Sequence, residues 1–263
     1  MRMRVRRLIA AASVAAIGVL SVAGCGNASP DVAAYVGDTR YSVDRVDEVF
    51  DDAQTKYSAV IRQQGEETGV TPAPEQLRAD LTRQDVIDLL VSIELGKRVA
   101  EAQNVQVANE ITPDQLAAQL RMPPTAEYAR LWSEWLNISG SLSAALPPAE
   151  LSDASVMAVY KAIEKTGAIQ AGLSVAEVRQ AFGQGAFVRQ ASALSAALTE
   201  EAERAGTTIN PRYRPVGVPS VVSTGQSLVF YSLPYIDRTG PVTDISSPRP
   251  AAEEHTPDDG HGH

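Results

Sequence analysis

One cysteine, Cys25, and three histidines, all beyond residue 254, are the whole thiol and imidazole chemistry of this 263-residue chain. Without a second thiol no disulfide forms within the chain, so stability has to come from an ordinary packed core. His255, His261 and His263 sit in a stretch rich in Pro, Gly, Ser and acidic residues. A general base held there lacks the fixed geometry that catalysis demands. Without an ordered histidine, no Ser-His-Asp arrangement can be built from the many serines. Asp258, Asp259, His261 and His263 would bind a divalent ion only weakly, as a solvated tail. Phosphate loops and dinucleotide fingerprints are missing too. The expectation is therefore no catalytic residue, no metal and no cofactor.

Basic runs are equally scarce. No Lys/Arg cluster reads as a phosphate track, which argues against nucleic acid as a partner. Beyond residue 25 no apolar run approaches the ~20 residues of a membrane span. Methionine is rare (four in the chain), so an adaptable Met-rich surface is not expected either.

What is present begins at the N-terminus. Arg2, Arg4, Arg6 and Arg7 precede an uncharged, apolar or small stretch from Leu8 to Val22. That layout is a secretory leader rather than a structural helix. It ends in Val22-Ala23-Gly24-Cys25, which resembles the lipobox of bacterial lipoproteins. Small residues admit the chain to a narrow protease cleft, and a thiol at the new N-terminus accepts a diacylglyceryl group. The expected organisation is a signal peptide over 1–24 and a lipidated tether over 25–31. Cys25 is the lipidation site, and the protein sits on the outer face of a cell membrane. Two or more acyl chains hold a protein on a bilayer without a transmembrane helix. Removal of the leader takes four of the 23 basic side chains, leaving 19 against 32 acidic ones, a net charge of −13. Anionic headgroups would repel such a body, so the lipid must do the holding.

The rest reads as mostly helical. Ala33 to Val36 and Thr39 to Tyr41 flank Gly37-Asp38 as two short strands. Ser42 caps a helix expected to run to about Gln64, with Val43, Val46, Val49, Phe50 and Ala53 on one face. Residues 65–74, with two Gly and two Pro, read as a linker. Thr82 and Asp85 approximate a capping box for a helix over Arg83–Ala102, and Thr112-Pro113-Asp114-Gln115 starts a short one. Thr125 begins a helix bearing Tyr128, Trp132 and Trp135. Ser152, Ser174 and the stretch Phe187–Arg204 mark three more. From Gly240 onward Pro, Ser, Gly and acidic residues predict a disordered tail over 240–263.

Three segments carry a family resemblance. Ala33-Ala34-Tyr35-Val36-Gly37-Asp38-Thr39-Arg40-Tyr41-Ser42 followed by a helix resembles the opening of SurA-type periplasmic chaperones. Leu151 to Tyr160 resembles the later family segment in which a cap and acidic start precede a Tyr-bearing helix. Ile209-Asn210-Pro211-Arg212-Tyr213 resembles the strand that returns beside the first one. The resemblance covers about residues 32–216. It implies a SurA N-terminal-like helical domain over 32–218, with a small β element formed by the N-terminal strands and a strand after the last helix. Val32–Tyr41 would then pair with Ile209–Val218. Residues 219–239 are expected to be an irregular or short-strand extension. The parvulin-type prolyl isomerase domain common in that family is not found in the pattern.

These readings converge on a non-enzymatic, membrane-tethered chaperone-like protein whose partners are unfolded or extended exported polypeptides. The runner-up is an envelope scaffold or adaptor lipoprotein with one specific partner. An extracellular hydrolase would need an ordered nucleophile and base, and a solute-binding lipoprotein would need repeated strand-helix units. Tyr128, Trp132 and Trp135 are the candidate client-binding residues. Their i, i+4, i+7 spacing equally predicts a core face.

Overall fold

The computed structural model describes residues 30–213, 215–223 and 228–236. Cys25, the leader and the tail expected over 240–263 lie outside the described residues. Within them the protein is mostly helical, with two small antiparallel sheets.

The chain opens with β1 (Val32–Val36) and β2 (Thr39–Ser42), joined through Gly37 at φ 57°. That left-handed conformation suits a residue without Cβ, and the Arg98 guanidinium would lie 2.8 Å from one. Ser42 caps α1 (Val43–Thr68), its hydroxyl accepting from Arg45 N at 3.1 Å. The helix runs on through Gly65, past the Gln64 end that the Gly/Pro linker predicts. The returning chain needs that glycine: a Cβ there would meet Val70 O at 2.5 Å. Gly69, at φ 70°, ends the helix instead.

The centre of the fold is α2 (Arg83–Ala102). It starts at the Thr82/Asp85 capping box, as the spacing predicts. Val86, Ile87, Leu89, Leu90, Val91, Ile93 and Leu95 are all buried, so this helix is covered on nearly every side. It packs against α1, α4, α7, β1 and the second sheet. α3 (Pro113–Leu120) leads into α4 (Glu127–Ala145). Where α2 crosses α4, Gly96 allows close approach: a Cβ would lie 2.7 Å from Ile138 Cγ2 and 3.1 Å from the Trp135 ring. α5 (Asp153–Glu164), α6 (Val175–Phe182) and α7 (Ala186–Arg204) follow, the first two each opened by a serine cap.

After α7, β3 (Thr208–Ile209) returns beside β1, with Ala34 opposite Ile209 and Tyr35 opposite Thr208. Asn210 extends the contact by donating its backbone N–H to Ala33 O and its amide to Val32 O, both at 2.9 Å. The three-stranded order is β2-β1-β3. The expected pairing of the N-terminal strands with a strand after the last helix is therefore present, but it is short. Val216 and Val218 do not join it.

They belong instead to β4 (Val216–Ser223), which pairs with β5 (Leu228–Ile236) in a separate antiparallel hairpin. The boundary expected at 218/219 falls inside β4, and the stretch expected to be an irregular or short-strand extension pairs as the two strands of a hairpin packed on the core. Val216, Val218, Val229, Leu233 and Ile236 are buried against the helices. Gly217, Pro219 and Pro234 explain why the pattern hid this. Each interrupts the strand signature, and prolines are rarely found in a paired strand.

Candidate functional site

A polar stripe crosses the buried helix α2. Gln84, Asp88 and Ser92 recur every four residues and so lie on one face. That face looks at the β4–β5 hairpin. Ser232 on β5 donates its hydroxyl to Asp88 Oδ2 at 2.6 Å. Gln84 Nε2 donates to Asp88 Oδ1 at 2.6 Å and lies 3.1 Å from the Pro215 carbonyl. The Gly217 backbone N–H also donates to Asp88. Ser92 Oγ donates to the Gly217 carbonyl at 3.4 Å. The hairpin is thus held to the central helix by a hydrogen-bonded seam centred on one carboxyl group. Gly217 is required by this seam, since a Cβ would fall 1.9 Å from Ser232 Oγ and 3.2 Å from Asp88 Oδ2.

Asp88 is only 3 % exposed. Burial disfavours its charged form and pushes the carboxyl up to about 7, against the opposing hydrogen bonds from Ser232, Gly217 and Gln84; the Asp85 carboxylate adds to the rise. Burial likewise raises the Tyr128 and Tyr235 phenols, with Asp88 adding to both.

The seam borders a cleft of about 400 Å³. Its walls come from four places: the start of α2, the start of α4, the end of α5 and the hairpin. Asp80, Asp85 and Asp88 line the α2 side, and Lys165 and Thr166 the α5 side. Tyr128 and Trp132 form the floor with Phe230. Trp132 packs edge-on to both neighbours, 6.5 Å from the Tyr128 ring at 84° and 4.8 Å from the Phe230 ring at 70°. Its indole Nε1 is buried, and its hydrogen-bonding approach to the Tyr128 hydroxyl opposes the rise of that phenol.

The three aromatic residues singled out from the sequence therefore separate. Tyr128 and Trp132 line the cleft. Trp135, one helical turn further on, is fully buried and donates its Nε1 to the Pro219 carbonyl at 2.6 Å. It is a core residue that ties α4 to the hairpin, so its place among the client-binding candidates is corrected here. Asp88, Asp85, Phe230 and Ser232 were not anticipated. The signal for Asp88 was present, as the middle of a Gln84-Asp88-Ser92 polar stripe on an otherwise apolar helix. Phe230 and Ser232 come from a hairpin that the pattern did not show.

Among the described residues, no three His, Cys, Asp or Glu side chains are gathered to hold a metal ion. No described helix is long and apolar enough to cross a membrane. No family model, curated protein or solved structure matches the chain.

Proposed function

We propose that this chain is a lipoprotein anchored through Cys25 on the extracytoplasmic face of the cell membrane. Its helical body acts as a chaperone-like module for unfolded or extended exported polypeptides. The observation that carries the reading is the open cleft lined by Tyr128, Trp132 and Phe230. An extended polypeptide brings apolar side chains that cover such a lining. The strand–turn–strand–helix opening and the return of β3 beside β1 support a SurA-like relationship. The reading is non-enzymatic: the polar groups nearest the cleft, Asp88, Gln84 and Ser232, are engaged in holding the hairpin.

Each side chain buried in such a cleft adds about 1.5–3 kcal/mol, and ordering the client takes back much of that. Binding should be micromolar and tolerant of sequence. The test is suppression of aggregation of a denatured exported protein by the soluble fragment 27–236. Suppression at several-fold excess supports the proposal. A second reading, a scaffold for one partner, draws on the cleft's size: about 400 Å³ accommodates one or two side chains rather than a long segment. Absence of suppression, together with one tight stoichiometric partner in cells, would favour the scaffold.

A further inference from the structure

The link between α2 and α3, residues 103–112, forms no helix or strand. It lies along α4, and side chains of α4 hold its main chain. Ser141 Oγ accepts from Ala108 N at 3.0 Å. Asn137 Oδ1 accepts from Glu110 N and Ile111 N, both at 2.9 Å, and Asn137 Nδ2 donates to Ile111 O at 2.8 Å. Ser133 Oγ donates to the same carbonyl at 2.6 Å. Each of these bonds is to the main chain of the link, so any residue except proline would offer the same partners.

The geometry of α4 explains the fit. Ser133, Asn137 and Ser141 recur every four residues on one face, about 6 Å apart along the axis. An extended chain advances about 6.6 Å in two residues. Alternate residues of the link, Ala108 and Glu110, therefore meet successive rungs, Ser141 and Asn137. The helix also sets the rungs in advance. Ser141 spends its hydroxyl proton on Asn137 O at 2.8 Å, which leaves its oxygen as an acceptor, and Asn137 Nδ2 also donates to Ser133 O at 3.0 Å.

Little else holds the link down. Residues 106–110 are exposed, and Val105 and Ile111 are half-buried. A cavity of about 330 Å³ is lined by residues 107–109 on one side and by Lys97 and Ile138 on the helices. Both ends are fixed by the neighbouring helices instead of by α4: Val105 N donates to Ala100 O and Thr112 N to Gln115 Oε1, each at 2.8 Å. The link can leave α4 without unwinding α2 or α3, and segments with few buried contacts are the ones that open. Ser133 and Asn137 are themselves buried, so opening alone would strand their polar groups. A second extended main chain removes that cost by replacing like with like. We propose that the Ser133–Asn137–Ser141 face of α4 is a binding site for extended polypeptide main chain, held in the free protein by residues 105–111 as a strap that the client displaces. The proposal rests on the chaperone-like reading and accounts for its tolerance of sequence, since main chain is what the face reads.

The experiment uses the full-length protein in detergent and two probes: acetyl-Ser-Val-Ser-Val-Ser-Val-amide and the same peptide N-methylated at every residue, which keeps the side chains and removes the donors. Hydrogen–deuterium exchange follows the strap amides, and calorimetry gives the affinities. Saturation with the first peptide should speed exchange across residues 108–111 at least about fivefold, and the methylated peptide should bind at least about tenfold more weakly. Val105→Ser with Ile111→Ser loosens the strap without altering α4 and should tighten binding about threefold to tenfold, because a site masked by its own chain binds in proportion to the fraction open. Ser141→Ala should weaken binding about threefold. Unchanged strap exchange at saturating peptide overturns the proposal, as does equal binding of the two peptides. So does binding of neither at millimolar concentration while aggregation suppression persists, an outcome that leaves the chaperone-like reading standing. Strap displacement without suppression would overturn that reading instead and keep the site. These outcomes are read on the unsubstituted protein and hold whether or not the variants fold.

Discussion

Replacing Asp88 by asparagine separates the cost of a buried charge from the worth of its hydrogen bonds. In the folded protein the carboxyl titrates at about 7, against 3.8 for the ordinary value. A group whose folded pKa is raised stabilises the fold in its neutral form. That contribution is complete below pH 4 and is lost as pH rises through 7. The whole shift corresponds to about 4 kcal/mol, and the part falling between pH 5 and pH 8 to about 2–3 kcal/mol. Asparagine retains an acceptor for Ser232 and Gly217 and cannot ionise. Its new N–H₂ opposes the Gln84 amide, and turning either amide sacrifices about 1 kcal/mol of hydrogen bonding. That penalty is independent of pH, so the slope decides and not the offset. Urea denaturation of the fragment 27–236 and of its Asp88→Asn variant, followed by circular dichroism at each pH from 5 to 8, gives the two stability curves. The wild type should lose about 2–3 kcal/mol relative to the variant across that range. Parallel curves would mean that Asp88 does not hold a proton in the fold, and the account of the seam would fail with it.

Four further outcomes are expected. Trp135→Ala removes a fully buried indole and its bond to Pro219, and should cost about 3–5 kcal/mol in a thermal or chemical melt. Gly217→Ala forces Ser232 off Asp88 and should destabilise by about 1–3 kcal/mol, read by the same melt. Ending the chain before Val216 removes the hairpin that covers α2 and should abolish the cooperative transition, while ending it at Gly240 should leave the melting temperature of the full chain; coincident melts of the two truncations would refute the hairpin's place in the core. Cys25→Ala should eliminate incorporation of a clickable palmitate analogue in cells, and equal labelling of wild type and variant would refute the anchor.

Local chemistry determined most of the helical skeleton. Thr82 with Asp85, Thr112 with Gln115 and Ser174 with Glu177 place their helix starts because a cap and its reciprocal partner lie within one turn. The start of α1 at Ser42 was legible for the same reason. Its end was not. Whether Gly65 breaks a helix or lets another segment approach depends on Val70 and Pro72, which close over it only in the folded chain. The hairpin was hidden because Gly217, Pro219 and Pro234 carry poor strand propensity. Their places in it come from contacts with α2 and α4, over 80 residues away in the chain in the case of the Trp135–Pro219 bond. Contacts from segments distant in sequence also separate the roles of Tyr128 and Trp132 from that of Trp135. One helical face holds all three, and periodicity assigns them alike. α2 at Gly96 and the hairpin at Pro219 enclose Trp135 in the core, while Tyr128 and Trp132 are left beside a cleft that the end of α5 also walls. A helix face records what its residues prefer to bury; which neighbour covers each of them is decided by the packing of the whole chain.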